Sequence, residues 1–216
     1  MEDRDLPRAQ LVYATLKDMI RDGAVRPGQR MREIEIAEAQ GVSRTPVREA
    51  MHRLVSEGLL EASAARGIAV TELSKQQVLE LYALREFLEG ASARFAAQHA
   101  SLPEMRALHE LIDYINTIPE EDHTQHAQLN KRFHAQIAEA AHNTYLSRAL
   151  SQLSDSLMLV PGTTFQAKGR VGDVRREHLA ILAAIDARDA EGAETAARDH
   201  IRKAGEVRLQ MLFGQR

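Results

Sequence analysis

The sequence predicts a mainly α-helical protein, with a small N-terminal domain that includes one β-hairpin and a larger C-terminal domain built from helices. Three observations support this fold class. Aromatic residues make up 4% of the chain and tryptophan is absent, so the core must consist of aliphatic side chains and methionine, which favours helices. Apolar residues recur at helical spacing along most of the chain, and two short strand-like runs lie within residues 59–70. The length of 216 residues suffices for two small domains.

The first two helices are predicted from apolar spacing and from the turns that follow them. Residues 8–22 form the first helix, which Asp22-Gly23 ends before a turn at residues 26–28. Its inward side chains are Leu11, Val12, Leu16, Met19 and Ile20. A short second helix covers residues 33–40, where Ala37 supplies the small side chain that two crossing helices need.

A third helix begins after a tight turn, and its exposed face suits DNA. Gly41 tolerates the positive φ of such a turn, Ser43 is a suitable N-cap, and Pro46 falls in the first helical turn, where a missing N–H does little harm. The buried face carries Val47, Ala50, Met51 and Leu54 at helical spacing. The opposite face carries Arg44, Thr45 and Arg48 near its N-terminus, an arrangement that fits a major groove.

Two short strands are predicted directly after this helix. Gly58 ends the helix, and residues 59–62 and 67–70 then form a hairpin around residues 63–66, with Arg66 at its tip. On the two arginines alone, a surface helix with ordinary charges would explain the pattern as well. The turn glycine, the cap, the small residue and the hairpin together favour a winged helix-turn-helix, with three helices and a small β-wing.

At these residues the sequence resembles the N-terminal domain of the GntR family of bacterial transcription regulators. The matching motifs are Pro27-Gly28-x-x-Met31-Arg32-Glu33 and Ala37-Glu38-x-x-Gly41-Val42-Ser43-Arg44-Thr45-Pro46-Val47-Arg48-Glu49-Ala50-Met51-x-Arg53-Leu54-x-x-Glu57-Gly58-Leu59. The resemblance implies binding of operator DNA as a dimer. By position, it assigns DNA contacts to Ser43, Arg44, Thr45 and Arg48, to Arg66 and Gly67 in the wing, and to Arg32 near the phosphates. Some relatives have an arginine where this chain has Ile34, so we expect that contact to be missing.

Charge and cysteine content limit the possible functions. The net charge is −3, and residues 1–72 hold 11 Lys and Arg against 12 Asp and Glu, so DNA binding depends on where the arginines point rather than on bulk charge. The absence of cysteine excludes disulfides, thiolate zinc fingers and iron–sulfur clusters. With neither a signal peptide nor a membrane-spanning run in the sequence, we expect a soluble, cytoplasmic protein.

The C-terminal part is predicted to be an all-helical bundle. The predicted domains are residues 1–73, which bind DNA, and residues 74–216, which form the bundle. The six predicted helices cover residues 75–99, 103–117, 122–141, 143–159, 168–187 and 190–212. Pro103 lies at a helix start, and Pro119 and Pro161-Gly162 mark loops.

Polar residues interrupt the apolar faces of these helices. His134, His178 and His200 each lie on the inward face of a different helix, and Asn130 lies one turn before His134 on the same face. A single such histidine is usually a structural core residue. Three imidazoles without partners would be costly to bury, and one divalent cation, such as zinc or nickel, would satisfy them all. Spacing alone leaves the structural and the metal-binding interpretations equally open.

The bundle is similar to the FCD domain, the effector-binding half of the FadR subfamily of GntR regulators. The matching residues are Leu84-Arg85-x-x-Leu88-Glu89, Asn130-x-x-Phe133-His134, Glu177-His178-x-x-Ile181-x-x-Ala184-Ile185 and Ala196-x-x-x-His200. In many such domains an aspartate and three histidines bind a divalent metal. The resemblance therefore implies a metal site at His134, His178 and His200, with Asn130 at the aspartate position. Because an amide carries no charge, we expect weaker metal retention and a stronger pull on an anionic effector.

Arg85 also interrupts an apolar stripe, and it has two explanations. It forms a structural salt bridge, for instance with Glu89, or it clamps the carboxylate of a bound acid opposite the metal. Tyr82 and Arg148 are weaker predictions for the same effector pocket.

The predicted function is a homodimeric, ligand-responsive transcription regulator, a repressor, that senses a small carboxylic acid and is not an enzyme. Two enzymes remain as alternatives: a hydrolase that uses the three-histidine metal, and a di-iron enzyme suggested by Glu139-x-x-His142. A second Glu-x-x-His is missing from the sequence, which counts against the latter. A third alternative is a constitutive DNA-binding protein whose bundle only dimerises.

Overall fold

A computed structural model describes residues 7–63 and 67–214. It confirms a mainly helical chain with a two-stranded wing. In order, the elements are α1 Arg8–Arg21, α2 Glu33–Gln40, α3 Arg44–Ser56, β1 Leu60–Ser63, β2 Gly67–Val70, α4 Lys75–His99, α5 Leu102–Thr117, α6 His123–Ala140, α7 Thr144–Leu157, a 3-10 turn Thr164–Gln166, α8 Arg170–Asp186 and α9 Ala190–Phe213. Along these described residues, no helix is both long enough and apolar enough to cross a bilayer.

The chain divides into two compact units. Of the described residues, one unit contains those up to Ser74 together with Ser154–Pro161, and the other contains Lys75–Leu153 and those from Gly162 to Gly214. The sequence does not predict that Ser154–Pro161 packs with the first unit. It does so because Leu159 joins the first unit's apolar core and Asp155 accepts a hydrogen bond of 2.6 Å from Lys17 Nζ.

The first unit is organised around the packing of α1 and α3. Gly41 closes α2 in the left-handed conformation with φ 63°, as the turn requires. The core side chains are Val12, Leu16, Ile20, Val47, Ala50, Met51 and Leu54. Ser43 is the N-cap residue of α3, but its side chain makes no capping bond. The physical reason is Pro46 at the third helical position, which has no N–H to donate a hydrogen bond to the capping hydroxyl.

The wing is an antiparallel hairpin. Leu60 pairs with Val70 and Ser63 with Gly67, so β1 is shifted by one residue from the predicted 59–62 while β2 agrees with the prediction. Leu59, Leu60 and Val70 are buried and attach the wing to the core of the first unit. The predicted tip at Arg66 lies outside the residues that the structure describes.

The second unit has α9 at its centre, packed along α4 and α8. Close approach of α4 and α9 depends on Gly90, because a β-carbon there would lie 2.6 Å from Cγ of Arg198. α5 begins with a capping box in which Ser101 and Glu104 satisfy each other's backbone N–H groups. Large apolar core residues include Leu108, Phe133, Ile137, Ile181, Ile185 and Ile201.

Candidate functional site

The structure brings the three predicted histidines together inside the second unit. His134 comes from α6, His178 from α8 and His200 from α9, and all three are buried. One nitrogen from each ring can be chosen so that all three atoms lie within 4.8 Å of one another. His134 Nε2 and His200 Nε2 are 3.1 Å apart. Two nitrogens that bind one ion at the usual length of about 2.1 Å lie about 3.0–3.4 Å from each other, so this separation suits a shared metal.

Two glutamates orient these rings, a role that the sequence did not predict for them. Glu89 Oε2 lies 3.0 Å from His134 Nδ1, and Glu177 Oε2 lies 2.7 Å from His200 Nδ1. Each carboxylate accepts a hydrogen bond from Nδ1–H, which leaves the Nε2 lone pair available. Two facing lone pairs at 3.1 Å repel unless a proton or a cation lies between them. Carboxylate–histidine–metal triads are the usual form of such a ligand shell.

His178 provides the strongest test of whether a metal fits. Within residues 7–63 and 67–214, neither of its ring nitrogens has a hydrogen-bond partner, although the side chain is 1% exposed. Its ring stacks on Phe133 at 4.1 Å between centroids, which fixes the ring but satisfies no polar atom. An unsatisfied buried imidazole is costly, and a coordinated cation would remove that cost. These residues therefore fit a divalent metal site.

The local electrostatics keep His178 and His200 in the neutral form that ligates metals. Burial, followed by the nearby positive charges of His200, His134 and Arg170, lowers the pKa of His178 well below its usual range. Burial likewise lowers the pKa of His200. Burial opposes ionisation of Glu89, but the charge and hydrogen bond of His134, together with Arg85, outweigh it and lower its pKa to about 2. His178 and His200 are thus neutral, and the Glu89 carboxylate is charged, at neutral pH.

A cavity of about 170 Å³ reaches this cluster at His200. Three further predicted residues, Tyr82, Arg85 and Asn130, line the same cavity. Arg85 Nε also donates to Glu89 Oε1 at 3.3 Å, so the predicted salt bridge exists and Arg85 lies at the cavity wall as well. Arg148 is exposed on α7 and does not line the cavity, because it lies on the outward face of that helix.

Two further arginines line this cavity and are absent from the sequence-based prediction. Arg170 is 3% exposed and Arg208 is 7% exposed, and both reach the same wall as Arg85. Arg170 Nη1 donates to Glu177 Oε1 at 2.9 Å, and Arg208 Nη2 donates to the carbonyl of Gly162 at 3.2 Å. A sequence signal existed for Arg208, since it lies eight residues after His200 on the same face of α9.

The Glu139-x-x-His142 pair does not form a metal site. Glu139 is exposed, and His142 lies beyond the end of α6, where its Nε2 is 3.1 Å from Glu104 Oε2. The two side chains therefore face away from the three-histidine cluster. The structure gives no support to the di-iron alternative, because α6 ends at Ala140, two residues before His142.

The exposed face of α3 carries a compact ionic network. Glu33, the first residue of α2, accepts a bond of 3.0 Å from Arg44 Nη2. It also accepts bonds of 3.1 Å from both Nε and Nη2 of Arg48. Glu33 thereby holds two predicted DNA-contacting arginines side by side. The sequence did not predict this role for Glu33. Thr45 is exposed next to them.

The remaining predicted DNA contacts lie around this network. Arg32 is exposed at the N-cap of α2 and pairs with Glu35 at 2.8 Å. Gly67 opens β2 with φ 74°, and the guanidinium of Arg30 lies beside it. Ile34, at the position where some relatives have arginine, is 53% exposed, so an apolar side chain occupies that part of the surface.

Comparison with known proteins identifies the family. The profile of bacterial regulatory proteins of the gntR family matches residues 8–70, and the profile of the FCD domain matches residues 80–203. The chain belongs to the GntR family and carries an FCD domain. This family assignment confirms the predicted DNA-binding module and the predicted class of C-terminal domain.

Relatives of this GntR-family chain are transcription regulators. The Nta operon transcriptional regulator of Aminobacter aminovorans is 30% identical over 88% of this chain and 89% of its own length. The probable D-xylose utilization operon transcriptional repressor of Paenarthrobacter nicotinovorans is also 30% identical, over 91% and 90%. The solved structure of Escherichia coli McbR/YncC superimposes with a TM-score of 0.78 at 25% identity, covering 95% of this chain and 99% of that one. The GntR-family chain is thus a transcription regulator and not an enzyme.

Proposed function

We propose that this GntR-family regulator is a cytoplasmic homodimeric repressor of the FadR subfamily that binds a palindromic operator and senses a small carboxylic acid beside a bound divalent metal. The observation that carries the sensing part is the meeting of three buried imidazoles, two of them hydrogen-bonded to a carboxylate through Nδ1. His134, His178 and His200 would hold the metal, with Asn130 as a further oxygen ligand. Bound there, the ion would act as a Lewis acid that attracts a carboxylate.

The effector pocket that we propose is the cavity lined by Tyr82, Arg85 and Asn130. Arg85 is suited to bind a carboxylate because its guanidinium is anchored by Glu89 at 3.3 Å through Nε and so keeps one orientation. Asn130 supplies an amide oxygen without a charge. A metal bound here would therefore keep more of its positive charge than it would beside an aspartate, which favours an anionic effector.

Coupling between effector and DNA is proposed to run through the chain itself. Ser154–Pro161, which packs with the first unit, continues directly into Gly162 and Thr163, which line the cavity of the second unit. Residues 73–75 form the other covalent connection that we propose. An effector that binds one arrangement of these segments more tightly than another shifts operator affinity by the ratio of its two affinities.

Operator recognition is proposed for Ser43, Arg44, Thr45 and Arg48 on α3, with Arg32 at the phosphates. The wing residues Arg66 and Gly67 complete this predicted surface. Ser43 keeps its hydroxyl out of a capping bond, so it remains available to a phosphate or a base. Selection of bound duplexes from a random pool tests the proposal: we expect an inverted repeat, and enrichment of a single half-site would contradict dimeric binding.

Native mass spectrometry of the full chain tests the metal and the dimer together. After loading with zinc, we expect a dimer that carries one ion per subunit. His178→Ala should lose the ion, whereas His126→Ala should retain it. His126 is a matched control because it is equally buried but already has a backbone partner, the carbonyl of Pro119 at 3.1 Å. Equal zinc content in the two variants would refute the proposed site.

A further inference from the structure

The cavity beside the histidines is walled by three guanidinium groups from three helices. Arg85 belongs to α4, Arg170 to α8 and Arg208 to α9, and all three line the same space of about 170 Å³. These arginines do not form a solvated surface patch, since Arg170 and Arg208 are at most 7% exposed. A small pocket lined by this much positive charge indicates an anionic occupant.

Arg170 has one edge of its guanidinium available for a ligand. Nη1 donates to Glu177, but Nε and Nη2 have no hydrogen-bond partner anywhere in the part of the chain that the structure describes. These two nitrogens share one edge of the planar group, and their spacing matches the two oxygens of a carboxylate. A buried N–H donor without an acceptor destabilises the folded protein, so we expect a ligand oxygen to accept hydrogen bonds from these two nitrogens.

The net positive charge around the cavity indicates a ligand with more than one negative charge. Arg85, Arg170 and Arg208 contribute three positive charges, and Glu89 and Glu177 contribute two negative ones, which leaves one positive charge. The proposed divalent metal raises this excess to three. A monocarboxylate would leave most of this buried charge without compensation.

We propose that the effector is a small dicarboxylate whose second carboxylate binds the free edge of Arg170, while the first binds at the metal. This inference rests on the proposed function, because it requires the same cavity to be the effector site. The cavity holds about six water molecules, which suits a dicarboxylate with a backbone of about three to five carbons. Arg170 is thus the residue that distinguishes dicarboxylates from monocarboxylates.

The test uses acids matched in chain length. Zinc-loaded full-length protein is titrated calorimetrically with malonate, succinate and glutarate, and with propionate, butyrate and valerate. We expect at least one dicarboxylate to bind about tenfold or more tightly than the monocarboxylate of equal length, as a charged hydrogen-bonded pair predicts. Equal affinities within every pair would overturn the dicarboxylate inference while leaving an acid-binding site in place. Binding of none of the six acids would overturn the proposed effector site as well.

Two variants assign the discrimination to Arg170. Arg170→Lys keeps the charge but loses the bidentate edge, so in zinc-loaded protein the preference for the dicarboxylate over the monocarboxylate should fall about tenfold. Arg176→Lys is the matched control, because Arg176 is on the same helix with a side chain that is 74% exposed and does not line this cavity. An unchanged preference in Arg170→Lys, or an equal loss of affinity for both acids, would refute the role given to Arg170.

Discussion

Replacing Glu89 by glutamine tests how the protein tunes its metal ligands. Glu89 is 6% exposed and contacts two groups: His134 Nδ1 at 3.0 Å and Arg85 Nε at 3.3 Å. The substitution preserves the shape of the side chain and removes its charge. It therefore weakens the bond that fixes the His134 ring with its Nε2 lone pair toward the cluster.

The magnitude follows from the strength of this carboxylate's interactions. Its pKa falls from 4.5 to about 2 in the folded protein, which corresponds to about 3 kcal/mol in favour of the charged form. His134 makes the largest favourable contribution to that energy, followed by Arg85 and His200. Loss of the share that belongs to the imidazole, about 1.4–2.8 kcal/mol, would weaken zinc binding roughly 10- to 100-fold, the usual cost of losing such a partner.

The assay is competition for zinc with a chromophoric chelator at pH 7, starting from metal-free protein. Glu86→Gln is the matched control, since Glu86 lies one turn earlier on α4 and pairs with Arg198 instead of a histidine. We expect the dissociation constant for zinc to rise in Glu89→Gln and to stay at the wild-type value in Glu86→Gln. Identical zinc affinities in the two variants would show that the carboxylate does not support the metal.

Three other outcomes are expected. Glu33→Gln should raise the affinity for non-specific duplex DNA several-fold, because Arg44 and Arg48 are then free to bind phosphates. The dependence of log affinity on log salt concentration should become steeper by about 1. Glu38→Gln is the control: it removes the same charge from α2 and should change neither quantity. In metal-free protein, the difference in unfolding free energy between wild type and Glu89→Gln should be constant above about pH 5. It should shrink as the pH falls toward the folded pKa of Glu89, about 2, because the interactions that lower this pKa stabilise only the ionised carboxylate. A difference that persists unchanged at pH 3 in urea titrations would contradict this. Gly90→Ala should lower the free energy of unfolding by about 1–3 kcal/mol, because the added methyl group would overlap Cγ of Arg198. An unchanged denaturant midpoint would count against close packing of α4 on α9.

Local sequence patterns predicted most of the helix boundaries. The observed bounds of α2 and α4 agree with the predicted 33–40 and 75–99, and where the ends of the other helices differ from their predicted ranges, they differ by one or two residues. Such agreement is expected where apolar spacing, caps and prolines act within a few residues of each other. Ser43 is the N-cap residue of α3 as predicted, but its side chain makes no capping bond, because Pro46 lacks the N–H donor.

The sequence by itself determined which polar residues lie on apolar helical stripes and so face inward: three histidines, an asparagine and an arginine. It also determined that two arginines lie on the exposed face of α3. The tertiary structure alone decided their partners. Glu177 is adjacent to His178 in the chain but binds His200, 23 residues away, and Arg170 and Arg208 reach the cavity of Arg85 from other helices. The physical reason is that helical periodicity fixes the direction of a side chain around its own axis, whereas the offset and rotation of one helix against another depend on packing across the whole bundle.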